Sequence, residues 1–169
     1  CGADLNFLHA HVTDRTYRDG DLVFRSTSGV SFRGYPGDLD RIWFLGTPPQ
    51  RVLDWYRITW ECNQAMAEQV APGRRCSEVY AACAAVESRH GLPPRPAGRV
   101  GHGIRNTGSL SIHPDNHTIL EPGMIVSVEP MFAAEYGWFD LEDQYLVTET
   151  GGEASHDTAP EHLPPILMA

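Results

Sequence analysis

Four side chains able to move protons or bind a metal stand in well-marked contexts. Asp38 lies in "GYPGDLDR", His102 in "RVGHGI", Glu129 in "SVEPMF" and Glu142 in "FDLEDQYLV". Glu129 and Glu142 each fall within a strand-like run, beside Val128 and Leu141. A carboxylate buried unpaired in a strand core is costly, so it normally has a cation or a metal as partner. The chain has no lysine, and few arginines lie near these positions. Two readings follow: the glutamates face solvent on an alternating strand, or they converge on a cation. A further stretch sharpens the choice. In "GDLVFRSTSGVSFRGYPGD", residues 20–38, the strand ending at Phe24 delivers Arg25, Ser26 and Thr27, where an acidic site would want another carboxylate.

These residues need a framework, and the composition supplies one. The chain has 169 residues, enough for one domain with a substantial core. Hydrophobic content of 41% and charged content of 21% are globular values. All thirteen basic residues are arginine, and the formal net charge of −9 argues against a nucleic-acid or anionic-membrane surface. No apolar run approaches the roughly 18 residues of a membrane span, and no signal-like segment is visible. The four cysteines form no CxxC pair. Cys76 and Cys83, seven apart on an expected helix, suit small buried residues in a reduced, cytoplasmic protein.

The elements can be placed from periodicity and punctuation. "LVFRST", "GVSFRG" and "RIWFLG" are strand-like runs separated by glycine and proline. Val52, Trp55, Thr59, Cys62, Met66 and Gln69 then recur at helical steps, predicting a long helix with Thr47 as N-cap, Pro48 at its first position and Pro72-Gly73 as its end. A second helix is expected from Ser77, as N-cap, through His90, with Gly91 as its stop. Pro93, Pro94 and Pro96 mark an extended connector, after which "MIVSVEPMF" and "LEDQYLVTET" return to strands. The strand group before residue 46 has no helix pair ahead of it, and the chain begins at Cys1 rather than Met. The expectation is therefore one domain over residues 1–169 that starts part-way through a larger fold.

The ordered phrases "HAHVTDRTYRDGDLV", "GYPGDLDR", "GHGI", "TILEPGMIVSVEP" and "LEDQYLVTETGG" resemble the catalytic domain of the pita-bread metallohydrolases, which include methionine aminopeptidase, Xaa-Pro aminopeptidase, prolidase and creatinase. The resemblance covers residues 2–152. It implies an α+β pita-bread fold, a curved antiparallel sheet with helix pairs on its outer face, here without the first pair. It also implies a ligand set. The family binds two divalent metals through Asp, Asp, His, Glu and Glu, and the last four match Asp38, His102, Glu129 and Glu142. The first Asp lies eleven residues before the second, a position held here by Thr27 with Ser26 and Ser28 beside it. The family's lost carboxylate serves one metal only. The expectation is thus at most one tightly bound Mn, Fe, Co or Zn ion per chain.

The same resemblance assigns roles. His9 matches the family histidine that contacts substrate or the tetrahedral intermediate, and Glu129 is the expected proton shuttle to water. A second family histidine is replaced by Ser109, and the segment "HGIRNTGSLSIHPDN" is shortened, with His113 as its only candidate substitute for substrate contact. The implied activity is metal-dependent hydrolysis of a small amide or peptide-like substrate of the Xaa-Pro class. A lyase, a metal-free creatinase-like enzyme and an inactivated binding protein are the alternatives, because fold does not fix reaction. Implied partners are a short peptide or small molecule, plus a homodimer mate or an upstream segment supplying the missing helices. Neither nucleic acid nor membrane is expected.

Overall fold

The structure, a computed structural model, describes residues 14–93, 98–104 and 110–166. Eleven short strands and two helices follow in the order β1 (Leu22–Ser26), β2 (Val30–Phe32), β3 (Tyr35–Gly37), β4 (Asp40–Leu45), α1 (Gln50–Ala67), α2 (Cys76–Arg89), β5 (Gly101–Gly103), β6 (Ile125–Val128), β7 (Met131–Ala134), β8 (Gly137–Asp140), β9 (Asp143–Val147), β10 (Gly152–Ala154) and β11 (Pro165–Ile166). β1, β4 and β11 form one sheet, and β10, β9, β6 and β5 form a second in that spatial order; β2–β3 and β7–β8 are separate hairpins. Pairing is antiparallel except for β11 on β4. The two sheets meet at a single antiparallel bridge between Asp40 and Glu142. That bridge sets two acidic residues, a hundred positions apart in the chain, side by side.

Both helices lie where the periodicity puts them, with different ends. The cap of α1 is Pro49, two residues later than Thr47, because consecutive prolines hold the chain extended until the second one. α1 stops at Ala67, short of the expected Pro72-Gly73, and a run of turns leads to Gly73 at φ 84. α2 is capped by Arg75, not Ser77. The Arg75 amide donates to Glu78 Oε2 at 2.7 Å, and Ser77, the second residue of the helix, has its hydroxyl 3.1 Å from His117 Nδ1. Gly91, at φ 69, follows the last turn as expected. Strand boundaries also shift. "MIVSVEPMF" is not one strand: Pro130 cannot donate to a ladder, so the run breaks after Val128 and resumes at Met131.

The core divides into two clusters, and α1 serves both. Its first half sends Val52 and Tyr56 into a cluster with Leu22, Ile42, Phe44, Phe139 and Leu141. Its second half sends Cys62 and Met66 into a cluster with Val79, Cys83, Val126, Val128 and Val147. Tyr56, which sequence periodicity passed over for Trp55, is the buried aromatic; Trp55 is half-buried and stacks at a tilt on Phe132 and Phe139. Cys62, Cys76 and Cys83 are buried in the core; Cys1 lies outside the described residues. Asn63, also buried on α1, donates to the Leu141 carbonyl at 3.0 Å. It thereby fixes the chain between Asp140 and Glu142. The β2–β3 hairpin exposes Val30, Phe32 and Tyr35, the most solvent-exposed apolar cluster among the described residues. No helix of the described residues is long and apolar enough to cross a membrane.

Candidate metal centre

His102 stands on β5 between two glycines. Gly101 approaches β6 so closely that a Cβ there would lie 2.2 Å from the Ser127 carbonyl oxygen, so only glycine lets β5 dock and hold the imidazole in place. Around it, Asp38 precedes β4, Glu129 follows β6, and Glu142 sits between β8 and β9. His102 Nε2 is 3.3 Å from Glu142 Oε1, 3.6 Å from Asp38 Oδ2 and 3.8 Å from Glu129 Oε2. The structure thus gathers all four expected ligands about one nitrogen. The other ring nitrogen, Nδ1, lies 3.2 Å from the Gly103 carbonyl. A carbonyl only accepts, so Nδ1 carries the proton, and neutral His102 turns the Nε2 lone pair toward the carboxylates. Lone pair against anions is repulsive unless a proton or a cation lies between them.

The surrounding electrostatics report that same demand. Burial, followed by the Glu142 charge, pushes the Glu129 carboxyl far above its usual range. Burial also raises Glu142, although a hydrogen bond with His102 opposes it. His102 in turn is raised, first by its hydrogen bond to Glu142. Glu129 Oε2 is buried without a hydrogen-bond partner among the described residues, and Glu142 Oε1 has only the His102 ring nitrogen, at 3.3 Å, beside it. Buried acceptors of this kind normally find a donor or an ion. One imidazole and three carboxylates suit a borderline divalent cation such as Mn, Fe, Co or Zn, so the residues present fit a resident metal.

The opening segment behaves differently from the sequence expectation. Thr27 does not turn its hydroxyl to the ligands; it donates to the Leu39 carbonyl at 2.8 Å, closing the loop that leads to Asp38. The hydroxyl that reaches the site belongs to Ser28, which donates to Asp38 Oδ1. Ser26 reaches Asp40 instead. His113 accepts from the Asp115 amide at 3.3 Å, and its ring lies 6.3 Å from that of Tyr80. His9 and Ser109 lie outside the described residues.

Two acids that sequence reasoning passed over join the site. Asp40, Glu129 and Asp140 each bring a carboxylate oxygen within 4.8 Å of the others, as Asp38, His102 and Glu142 do with theirs. A signal for them existed: Asp40 follows Asp38, and Asp140 precedes Glu142, by two residues, the spacing that puts side chains on one face of an extended chain. Arg41 is the other missed residue. Its guanidinium donates to the carbonyls of Asp40 and Glu142 at 2.8 Å each, to Asp143 Oδ1 at 2.6 Å and to the Asp157 carbonyl at 2.8 Å. One side chain therefore clamps both strands where the sheets meet, and it pairs with the fully buried Asp143. Replacing Arg41 by Met should destabilise the fold by about 3–5 kcal/mol, since it strands a buried carboxylate. Urea denaturation reads this; a loss under 1 kcal/mol would mean the clamp is dispensable.

With this geometry in place, the chain can be set beside known proteins. It is 32% identical over 163 residues to the probable dipeptidase PepE of Mycobacterium tuberculosis, covering 92% of this chain and 42% of that protein. It is 26% identical over 162 residues to the Xaa-Pro dipeptidase of Pyrococcus furiosus, covering 92% of this chain and 45% of that one. The crystal structure of the dipeptidase PepE from Mycobacterium ulcerans superposes with a TM-score of 0.87 at 28% identity, over 96% of this chain and 44% of the other. The chain thus spans under half the length of the relatives it matches. The α+β architecture is that of the pita-bread enzymes. The family model for metallopeptidase family M24 matches residues 1–149, and the chain belongs to that family.

Proposed function

We propose that this chain carries the catalytic centre of a metal-dependent hydrolase acting on a short peptide or peptide-like amide, with Xaa-Pro dipeptides as the first substrate class to try. The observation that carries the proposal is the convergence of Asp38, Glu129 and Glu142 on His102 Nε2, within 3.8 Å. The Xaa-Pro dipeptidase among the relatives supports the substrate class. Asp38, His102, Glu129 and Glu142 would hold one divalent ion. Such an ion supplies Lewis acidity, lowering the pKa of water and polarising a carbonyl. The protein's own groups do the rest. Glu129, buried beside the other three groups, is the proposed site of proton exchange with the attacking water and the departing amine. The Nδ1–H to Gly103 contact holds the imidazole in the tautomer that presents Nε2. His9 is the proposed partner of the developing oxyanion, by its match to the family histidine; His113 is proposed for substrate contact.

The test uses the purified protein, stripped with chelator and reloaded with Mn, Co or Zn, and assayed on Ala-Pro and Gly-Pro. Turnover should vanish on stripping and return with metal. Undiminished turnover in the stripped protein would point to metal-free, creatinase-like chemistry. Dipeptide binding without turnover by the loaded protein would point to an inactivated binder. Either outcome sinks the proposal.

A further inference from the structure

Beside the His102 cluster lies a second group, made of Asp40, Glu129 and Asp140. Asp40 is 3% exposed, Asp140 0% and Glu129 8%. Their oxygens converge to within 4.8 Å. Asp40 Oδ1, Glu129 Oε2 and both oxygens of Asp140 are buried with no hydrogen-bond partner among the described residues. Ser26 reaches Asp40, and the Trp138 indole N–H lies near Asp140 but short of hydrogen-bond geometry. Arg41, the cation that touches this strand junction, is spent on Asp143 and three carbonyls. Neither Asp40 nor Asp140 stands at any of the five ligand positions of the family pattern set out above. The group is therefore not the inherited pair of metal positions with one member missing.

Three carboxylates forced together in a protein interior are strongly unfavourable as anions, and only protons or a cation relieve them. Both oxygens of Asp140 lack a hydrogen-bond partner among the described residues while converging with two other acids. A cation held between the three carboxylates would supply that partner and offset their repulsion.

The donor set also selects the ion. It is all oxygen, all carboxylate, with neither nitrogen nor sulfur. Such sites prefer hard cations, namely Mg, Mn or Ca, whereas the imidazole-bearing group next to it suits Zn or Co. We propose that Asp40, Glu129 and Asp140 form a second divalent-cation site, selective for a hard cation and bridged to the His102 site through Glu129. The loss of a carboxylate at Thr27 removes one family position, while Asp40 and Asp140 bring two carboxylates of their own beside Glu129. The chain would then hold two ions in place of the single one that the family pattern implies. This site does not depend on the hydrolase reading, since it would fill equally in an inactive protein.

Purified protein, stripped and then given one equivalent of Zn²⁺, is titrated with Mn²⁺ while free Mn²⁺ is read by electron paramagnetic resonance. Wild type should take up one Mn²⁺ per chain with zinc retained, as counted by elemental analysis. Asp140→Asn should weaken that uptake by at least ~100-fold while keeping the zinc. His102→Ala should lose the zinc and keep the manganese. Asp140→Asn removes a buried charge at constant shape, so its apo form should melt no lower than wild type; should it fail to fold, Asp40→Asn must show the same loss. All added Mn²⁺ remaining free over zinc-loaded wild type overturns the site and leaves the cluster to protons. So does wild-type Mn²⁺ affinity in either Asn variant. Hydrolysis restored by zinc alone would leave the proposed function standing whatever the manganese result.

Discussion

His102→Ala is expected to weaken Zn or Co binding at the candidate metal centre by at least ~100-fold and, on the proposed function, to remove metal-dependent hydrolysis with it. The imidazole is the one nitrogen among the four gathered ligands, and its Nε2 is the point about which the three carboxylates are disposed. Without it the remaining carboxylates keep their mutual repulsion and lose the donor that makes the group suit a borderline metal. The variant should still fold, because His102 is partly exposed and the docking of β5 depends on Gly101 rather than on the ring. A factor of 100 corresponds to about 2.7 kcal/mol of binding free energy, well within calorimetric reach. Calorimetry on stripped wild type and variant, with circular dichroism to confirm folding, makes the measurement. Equal zinc affinity in the two proteins would remove His102 from the centre and, with it, the geometric basis of the proposed function.

The second large effect appears in the metal-free protein as a function of pH. Asp40 is raised to about 7, first by burial and then by the Glu142 charge. Glu129 and Asp140 are raised in the same direction, burial again leading. His102 is raised to about 8 by its hydrogen bond with Glu142. The sign is the same for all of them. Each holds its proton to higher pH in the folded state than in the unfolded chain, so between about pH 4 and pH 8 the folded state binds more protons. Stability is therefore greatest at the acidic end of this window and is lost as pH rises through the folded-state values. For Asp40 alone the shift from 3.8 to about 7 corresponds to roughly 4 kcal/mol. That is on the order of 10 °C in melting temperature for a chain of this size. Saturating Mn and Zn should reverse the slope, because metal binds the deprotonated ligands and adds stability by mass action as pH rises. Thermal melts between pH 5 and 8, with chelator and with metal, give the comparison. A chelated protein whose melting temperature rises across that interval would contradict the carboxylate cluster.

Much of this molecule was legible in its sequence, for a physical reason. Asp38, His102, Glu129 and Glu142 are each carried by a short phrase whose glycines, prolines and apolar neighbours are needed locally to shape a strand or turn. Such phrases survive reading in one dimension, and so did the helical faces led by Val52, Thr59, Cys62 and Met66, since period is a property of consecutive residues. The α+β architecture followed from those phrases and the resemblance they carry, and the four residues they single out come together in the structure. What depends on residues far apart did not. Pro49 and Arg75 cap the helices in place of Thr47 and Ser77 because the incoming chain and Glu78, not cap propensity alone, decide where the first turn closes. The hydroxyl beside Asp38 comes from Ser28 because Thr27 is claimed by the Leu39 carbonyl. Asp40 and Asp140 join the group because the Asp40–Glu142 bridge brings two sheets together. Arg41 became the clamp of that junction only once the chain near Asp157 folded back over it. Local chemistry is written residue by residue; charge clusters and their counterions arise where distant segments meet, and only the folded chain determines that meeting.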